Sequence, residues 1–551
     1  MGTMTDRAVN KSSQPTSSSQ RNGILPLSVN SRSIGIAWAL LVLYLVFFFW
    51  SDKFHQAVCW LLLVPDELIL QWTGGDWLRL SLLDRLPLLL LASGMILSAS
   101  ALGRLVLRPT GLLGELTRAE GVLFSVAIGL SCLSLCTLAL GWAGWLQTGS
   151  LFLCLLGAPV LIEVICMNCG STKPQVVGST TEGATGSRAS GSLSANWLWL
   201  LAPLTLIVLL GGMLPPQDFD VREYHLQVPK EWYQGGRIEF LPHNVYGNMP
   251  LGAEVLSIPA MAIWPGENGW WWGAMVGKTI LASFGLLTTG AIYLFGRRWF
   301  SDTAALVAAI VFLATPWVLH VCLNGLVEMA VAFYGLMAVY ATLLWRQQPE
   351  RLAWPGLAGF LAGSAVACKY PAVLLIVFPL LIYLAVHAGR RAPTVILVFT
   401  VTVSLACGLW FAKNIVMTGN PTYPLLSDWF GGESRSAERT GQWQRAHQVP
   451  RDPAGRRYSV VQLWGSLGQF AGRSRWQSPL LIPLALLGVM WGRRRREVLG
   501  LAALIAYTLL AWWLLTHRIE RFWVPVLPLL ALLAGLGSVQ LCRVGLSVTL
   551  P

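Results

Sequence analysis

The chain has 551 residues, 55% of them hydrophobic and only 12% charged, with 27 tryptophans and a formal net charge of +13. A soluble protein of this length carries about a quarter charged residues, so a water-soluble globular fold is excluded. The basic balance, which in a soluble chain would point to nucleic acid, has to be assigned to the two sides of a membrane before it means anything.

The first 33 residues are polar, Ser-rich and basic, with no cleavable signal, and read as a disordered cytoplasmic tail (1–33). Ile34 to Trp50 then runs seventeen residues without a charge, and Gly121 to Gln147 runs twenty-seven. A bilayer needs about 20 apolar residues per helical span and admits only helices or closed barrels. The runs lack a period of two, so the fold class is an all-α polytopic membrane protein. The expected spans number about fourteen: 34–50, 86–103, 121–142, 149–167, 196–214, 269–295, 303–322, 326–345, 353–368, 371–388, 393–412, 478–492, 497–516 and 522–541. Leu251 to Trp264 is too short to cross and reads as a re-entrant or interfacial helix.

Composition divides the chain further. Residues 34–167 form an N-terminal four-helix membrane block, and the Gly/Ser/Thr-rich 168–195 is a flexible cytoplasmic linker. Residues 196–541 are the main membrane domain, with external loops 215–268 and 413–477, and 542–551 is a cytoplasmic tail. Cys166 and Cys169 make a CxxC without a second pair or a His partner, so the pair is structural. Placing the N-terminus in the cytoplasm puts 20 Lys and Arg in cytoplasmic segments and 9 in short external ones. Long loops are exempt from the positive-inside rule, and 413–477 is left out of that count. Arg297-Arg298, Arg390-Arg391 and Arg493 to Arg496 then all face the cytoplasm.

The external segment after the fifth span concentrates the polar chemistry. Asp218 and Asp220 open it, Glu223, Tyr224 and His225 follow at once, and His243 and Asn244 come later. A carboxylate at the mouth of a helical bundle suits a general base acting on a hydroxyl. The plain alternative is a solvated, helix-capping loop. On the same topology Glu328, Lys369, Lys413, His517 and Arg521 also reach the external rim. Each has its own plain reading, as an ion pair or a snorkelling cation, but unrelated snorkelling residues have no reason to gather on one face. Lys278 sits inside a span as a possible partner for an acid. Trp270 to Trp272 read as membrane-belt anchors.

The order Asp220-x-x-x-Tyr224-His225-Leu226, Gly236, Pro250-x-Gly252-x-Glu254 resembles the first external loop of the GT-C superfamily of membrane glycosyltransferases. Asn324-Gly325-Leu326-Val327-Glu328, Lys369-Tyr370, Asn414 with Gly419-Asn420-Pro421-x-Tyr423-Pro424, and His517-Arg518-x-x-Arg521-Phe522 are similar to its later signatures, so the resemblance spans about 196–541. It implies a GT-C-like bundle that takes a sugar from a polyprenyl-phosphate donor, as in the protein O-mannosyltransferase and aminoarabinose-transferase branches. It further implies a glycan, lipid or protein acceptor on the non-cytoplasmic side of an inner or plasma membrane, and no nucleic acid. On that reading Asp220, Asp218 and Glu328 are catalytic. Glu223, Tyr224, His225, His243, Lys369, Tyr370, Lys413, Asn414, His517, Arg518 and Arg521 bind substrate. Two departures stand: the loop follows the fifth helix instead of the first, and the second acid is Glu instead of the commoner Asp. Asp218 and Asp220 could hold a divalent metal, yet no complete ligand set is visible. An oligosaccharide ligase or polymerase, or a lipid or solute transporter, is the alternative function.

The topology is checked by cysteine-accessibility labelling. Single cysteines at Gly266 and Arg451 are expected to react from the same, external side, and one placed in 168–195 from the opposite side. Labelling of Gly266 and Arg451 from different sides would sink the map.

Overall fold

The computed structural model describes residues 64–65, 67–74, 82–169, 195–431, 436–492 and 495–549, with Gly35, Ala39, Leu40, Val42 to Tyr44 and Val46 besides. The N-terminal tail, most of the expected span 34–50 and linker residues 170–194 lie outside the described residues. Among the described residues there is no strand. The main helices are α1 (Leu82–Leu107), α2 (Arg118–Trp142), α3 (Gly149–Cys169), α4 (Ala202–Gly212), α5 (Gln227–Gly235), α6 (Ser257–Ile263) and α7 (Gly269–Trp299). They continue with α8 (Asp302–Leu313), α9 (Pro316–Asn324), α10 (Glu328–Gln347), α11 (Ala353–Cys368), α12 (Phe378–His387) and α13 (Ala392–Thr418). After α14 (Ala437–Ala446) and α15 (Val460–Gly468) of the long loop 413–477 come α16 (Leu481–Trp491), α17 (Arg495–Leu515) and α18 (Leu527–Thr549).

Among the described residues eight helices are long and apolar enough to cross a bilayer, or nine if the bent pair α8 and α9 counts as one span. Four of the fourteen expected spans fall on shorter apolar helices, at Leu198–Gly212, Ala353–Cys368, Val373–His387 and Leu481–Trp491. The expected span 303–322 is bent by 58°. Its break has a local cause: Thr315 is extended, and Pro316, which has no N–H to donate, opens α9 at its first turn. The expected short helix around 251–264 exists as α6, and it is buried against α7 and α3.

With no water between helices, packing in a membrane relies on close backbone approach and on polar contacts across helices. Both are present. A side chain at Gly103 or Gly129 would land on the carbonyl of Ser125 or Ala99, so α1 and α2 cross at backbone contact. α16 and α18 do the same through Gly488 and Gly537. At the end carrying the expected cytoplasmic arginines, buried Glu120 accepts from Arg298 Nη1 at 3.0 and 3.1 Å and from the Tyr340 hydroxyl. It also completes a capping box with Thr117 at the start of α2. Arg351 pairs with Glu115, which accepts from Trp354 Nε1 at 3.2 Å. Glu120 thereby ties α2 to α7 and α10, the Ser364 hydroxyl of α11 donates to Ser131 of α2 at 2.8 Å, and residues from all of them share one hydrophobic core.

Lys278 is the most deeply buried cation of α7. Its ammonium donates to the carbonyls of Gly211 at 2.8 Å, Gly212 at 3.4 Å and Leu323. These carbonyls belong to the last turns of α4 and α9, which have no intrahelical donor left to satisfy them. The aliphatic stem packs against Gly325, whose φ of +78° lets the chain leave α9 and enter α10. The expected acid partner of Lys278 is thus replaced by two helix C-termini.

Lys278→Met removes the ammonium from the Leu323 carbonyl, while Gly211 still accepts from the Leu214 N–H at 3.2 Å and Gly212 from the Thr279 hydroxyl at 3.5 Å, so the cost is about 1–3 kcal/mol for the one carbonyl left unmet. A clearly lowered melting temperature of the detergent-solubilised protein is expected. An unchanged one would show that the ammonium does not hold the two helices.

Candidate active site

The loop between α4 and α7 is ordered by side chains standing in for absent secondary structure. Asn248 accepts from the Leu241 N–H at 3.0 Å and donates to the carbonyls of Leu241 and Asn244, both at 2.9 Å. Asn244 accepts from the Gly247 N–H at 3.0 Å and donates to the Glu223 carbonyl at 2.9 Å. Lys413, fully buried between the rings of Trp232 and Trp410, donates to the Asn248 carbonyl at 3.0 Å. The loop also docks on the bundle by the Gly252 N–H, which donates to the Ala367 carbonyl at 2.8 Å. A side chain at Gly252 would meet that carbonyl, so the close approach requires glycine there.

This scaffold presents Asp220 to three side chains from distant parts of the sequence. Glu328 comes from the first turn of α10, where the helix dipole favours a carboxylate. Lys369 caps the end of α11, and Arg521 comes from the turn Glu520–Val526 that leads into α18. Lys369 Nζ donates to Glu328 Oε1 at 2.7 Å, and Arg521 Nε stands 3.6 Å from the same oxygen. The Arg521 guanidinium also donates to Asp220 Oδ2. Two cations and two carboxylates therefore form a neutral quartet. Its members differ in access: the Glu328 side chain is 2% exposed, Arg521 17%, Lys369 21% and Asp220 28%. Glu328 is the buried anchor and Asp220 the open end. Glu328 Oε2 is buried with no hydrogen-bond partner.

Around the quartet lie groups that titrate in different senses. Asp218 accepts from the Asp220 N–H at 2.9 Å and so starts the helical turn of residues 221–225. The Tyr224 ring stacks on Tyr246 at 5.1 Å, and its phenol is held protonated, first by burial and then by the carboxylates of Asp220 and Glu328. His517 is pushed down to about 4, chiefly by burial and then by His447, Lys369 and Arg521, so it is neutral at physiological pH. It can offer a phosphate a neutral hydrogen bond but no charge.

His225 and Glu254 form a second buried pair, with Nδ1 and Oε1 2.8 Å apart. The far atoms of both, His225 Nε2 and Glu254 Oε2, have no hydrogen-bond partner. Glu254 was not among the expected site residues, although the Pro250-x-Gly252-x-Glu254 pattern contains it. Its pairing with a histidine 29 positions away is what the sequence does not show.

Several expected substrate-binding residues stand apart from the quartet. His243 pairs with Glu231 at 2.9 Å on the exposed edge of the loop, and Glu223 is exposed, its carbonyl held by Asn244. Asn414 donates to the Tyr370 hydroxyl at 2.7 Å, which donates to the Tyr423 carbonyl at 3.1 Å. Arg518 turns towards the long loop 413–477, donating to Gln462 Oε1 at 3.1 Å and to the Arg457 carbonyl at 2.7 Å. Among the described residues no three His, Cys, Asp or Glu side chains converge as a metal site.

Residues 272–412 match the family model described as dolichyl-phosphate-mannose-protein mannosyltransferase, in keeping with the GT-C resemblance. The fold is similar to two crystal structures of ArnT from Cupriavidus metallidurans. For the one bound to undecaprenyl phosphate the TM-score is 0.47 at 18% identity, over 63% of this chain and 60% of that one. For the apo form the TM-score is 0.47 at 18% identity, over 64% of this chain and 63% of that one. Both alignments thus span less than two thirds of the ArnT chains. No curated protein matches this chain.

Glu328 and Lys369 are expected to be strongly coupled. Glu328→Gln alone leaves two cations under-neutralised in a buried setting, and Lys369→Met alone leaves the carboxylate half-paired. The double variant should melt above the sum of the two single losses, with a coupling of about 0.5–3 kcal/mol. Additive losses would mean that the ion pair contributes nothing to the fold.

Proposed function

We propose that this protein is a membrane glycosyltransferase that moves a sugar from a polyprenyl-phosphate donor to an acceptor hydroxyl on the non-cytoplasmic face, by a single inverting displacement. The observation that carries the reading is the contact between Arg521 and Asp220 within a neutral quartet at the mouth of an apolar bundle. A phosphodiester brings one negative charge, and a second develops as the sugar leaves. Fixed cations serve best when they are aimed at that developing charge. Arg521 offers a planar fork for two phosphate oxygens, and Lys369 stands beside it with Glu328 shared between them.

The same contact suggests an order of events. In the free protein Asp220 is engaged by the Arg521 guanidinium. A donor phosphate that takes Arg521 frees the Asp220 carboxylate, which then accepts the proton of the attacking hydroxyl. The C–O bond to the phosphate breaks as the acceptor's C–O bond forms, and polyprenyl phosphate departs with the electron pair. Glu328 keeps its anchoring role throughout, because it is buried behind both cations.

We infer that the lipid tail follows the apolar side of the bundle where Gly335, Leu336, Ile376, Leu380, Leu504 and Leu529 line a cleft of only about 20 Å³ between α10, α12, α17 and α18, which the tail would have to widen. It starts within about two turns of Glu328 along α10 and of Arg521 along the chain into α18. The acceptor, whether glycan, lipid or protein, would approach from the Asp220 side. The external orientation rests on the 20-to-9 charge bias of the short connecting segments. The plasma or inner membrane is the expected location.

Mass spectrometry of envelope glycans and glycoproteins from a deletion strain should show one sugar missing. An unchanged glycan profile would count against the reading. In the purified protein, Asp220→Asn should cost at least about 10²-fold in transfer, as loss of a general base does, while polyprenyl-phosphate binding persists. Arg521→Lys keeps the charge but loses the fork, so it should weaken donor binding and slow turnover together. Transfer by Asp220→Asn above about a tenth of wild type would place the base elsewhere.

A further inference from the structure

A cavity of about 590 Å³ adjoins the quartet on the Asp218 side. That size is typical of a small-molecule site. Its polar lining is Glu67, Gln71, Gln217, Asp218, His320 and Asn324. Among the described lining residues two are carboxylates and none is Lys or Arg. The walls are fixed from several directions. Gln71 donates to Glu67 Oε1 at 2.7 Å, one turn apart on the helical residues 67–73. His320 stacks on Trp476 at 4.3 Å, and the Trp476 carbonyl accepts from the Trp317 N–H at 2.8 Å. The floor is the pair of helix ends that Lys278 clamps, since Gly211 and Leu323 both line the cavity.

The two sides of the quartet thus differ in chemistry. Arg521 and Lys369 suit a phosphate, whereas the cavity offers carboxylates, amides and an imidazole. Carboxylates and amides accept and donate to hydroxyls and amines, and carboxylates with no Lys or Arg beside them among the described lining residues repel an anion, which discriminates against it. Asp218, in the cavity wall, accepts from the N–H of Asp220, so a hydroxyl held here lies within two residues of the proposed base.

We propose that this cavity is the acceptor site and that it takes a neutral or amino-bearing saccharide, excluding phosphorylated ones. The inference rests on the glycosyl-transfer reading above and adds the substrate class to it. It also assigns a role to part of the chain before the main domain: segment 64–73 supplies Glu67 and Gln71 as selecting residues.

The test uses the full-length protein in lipid nanodiscs and a diazirine derivative of methyl glucoside as photoprobe. Crosslinks mapped by mass spectrometry are expected within 64–73, 211–218 or at Trp476. Unlabelled methyl glucoside and methyl glucosaminide should compete, and glucose 6-phosphate should not. Leu68→Trp, which fills the cavity wall, should cut labelling at least about tenfold by steric exclusion and leave undecaprenyl-phosphate binding, read by native mass spectrometry, unchanged. That unchanged binding also shows that the variant is folded. Glu67→Lys should let glucose 6-phosphate compete. Labelling that survives Leu68→Trp, or equal competition by glucose 6-phosphate in the wild-type protein, would overturn the proposal. Cavity labelling in a protein that fails to bind undecaprenyl phosphate would overturn the lipid-donor reading alone and support the saccharide cavity.

Discussion

The arrangement turns on one buried carboxylate. Glu328 lies at the end of α10, the most enclosed of the long helices, and is removed from water almost entirely. An ionised carboxylate in such a place is tolerated only with cations and hydrogen bonds to match. Lys369 and Arg521 supply them, and each arrives from a helix end far away in the chain. The need to neutralise Glu328 therefore fixes where α11 stops and where the chain re-enters at α18. Asp220 completes the balance from the loop between α4 and α7. Because Asp220 is the most exposed of the four, it is the member a ligand can displace at the lowest cost.

The loop that carries Asp220 has little regular structure, yet it is held by buried amides. Asn244 and Asn248 each replace contacts that a sheet or helix would otherwise make, and Lys413 locks the second of them. An asparagine side chain has both a donor and an acceptor, so two of them can close a loop without further help. In the proposed transfer, positioning to within a fraction of an ångström matters for proton transfer and displacement, and this network would supply it to an irregular segment.

Much of this architecture is written in local patterns. Long charge-free runs mark the helices, and the polar residues at one set of helix ends mark Asp220, Glu328, Lys369 and Arg521 as neighbours on one face. Local pattern says nothing about which partner each charge takes. Lys413 and Arg518 look in sequence like Lys369 and Arg521, but one braces Asn248 and the other braces the long loop 413–477. Glu254 and His225 lie in one loop, and only its folding brings them together. The break in the expected span 303–322 had a signal, Pro316 after Thr315. The 58° it produces depends on what α9 packs against. The contribution of segment 64–73 to the cavity wall is wholly tertiary.

The clamp at Lys278 bears on how the chain is made. A lysine in the middle of an isolated span costs about 2.5–3.5 kcal/mol when the insertion machinery tests that span against lipid. The carbonyls of Gly211 and Gly212 are synthesised before α7 and can meet the ammonium as it enters. The third acceptor, Leu323, emerges from the ribosome only 45 residues later. Helix α7 is therefore committed to the bilayer with its charge partly satisfied, and α4 has to remain beside it until α9 arrives. Order of synthesis and final packing meet in one side chain, which makes that helix pair the natural early assembly unit of the bundle.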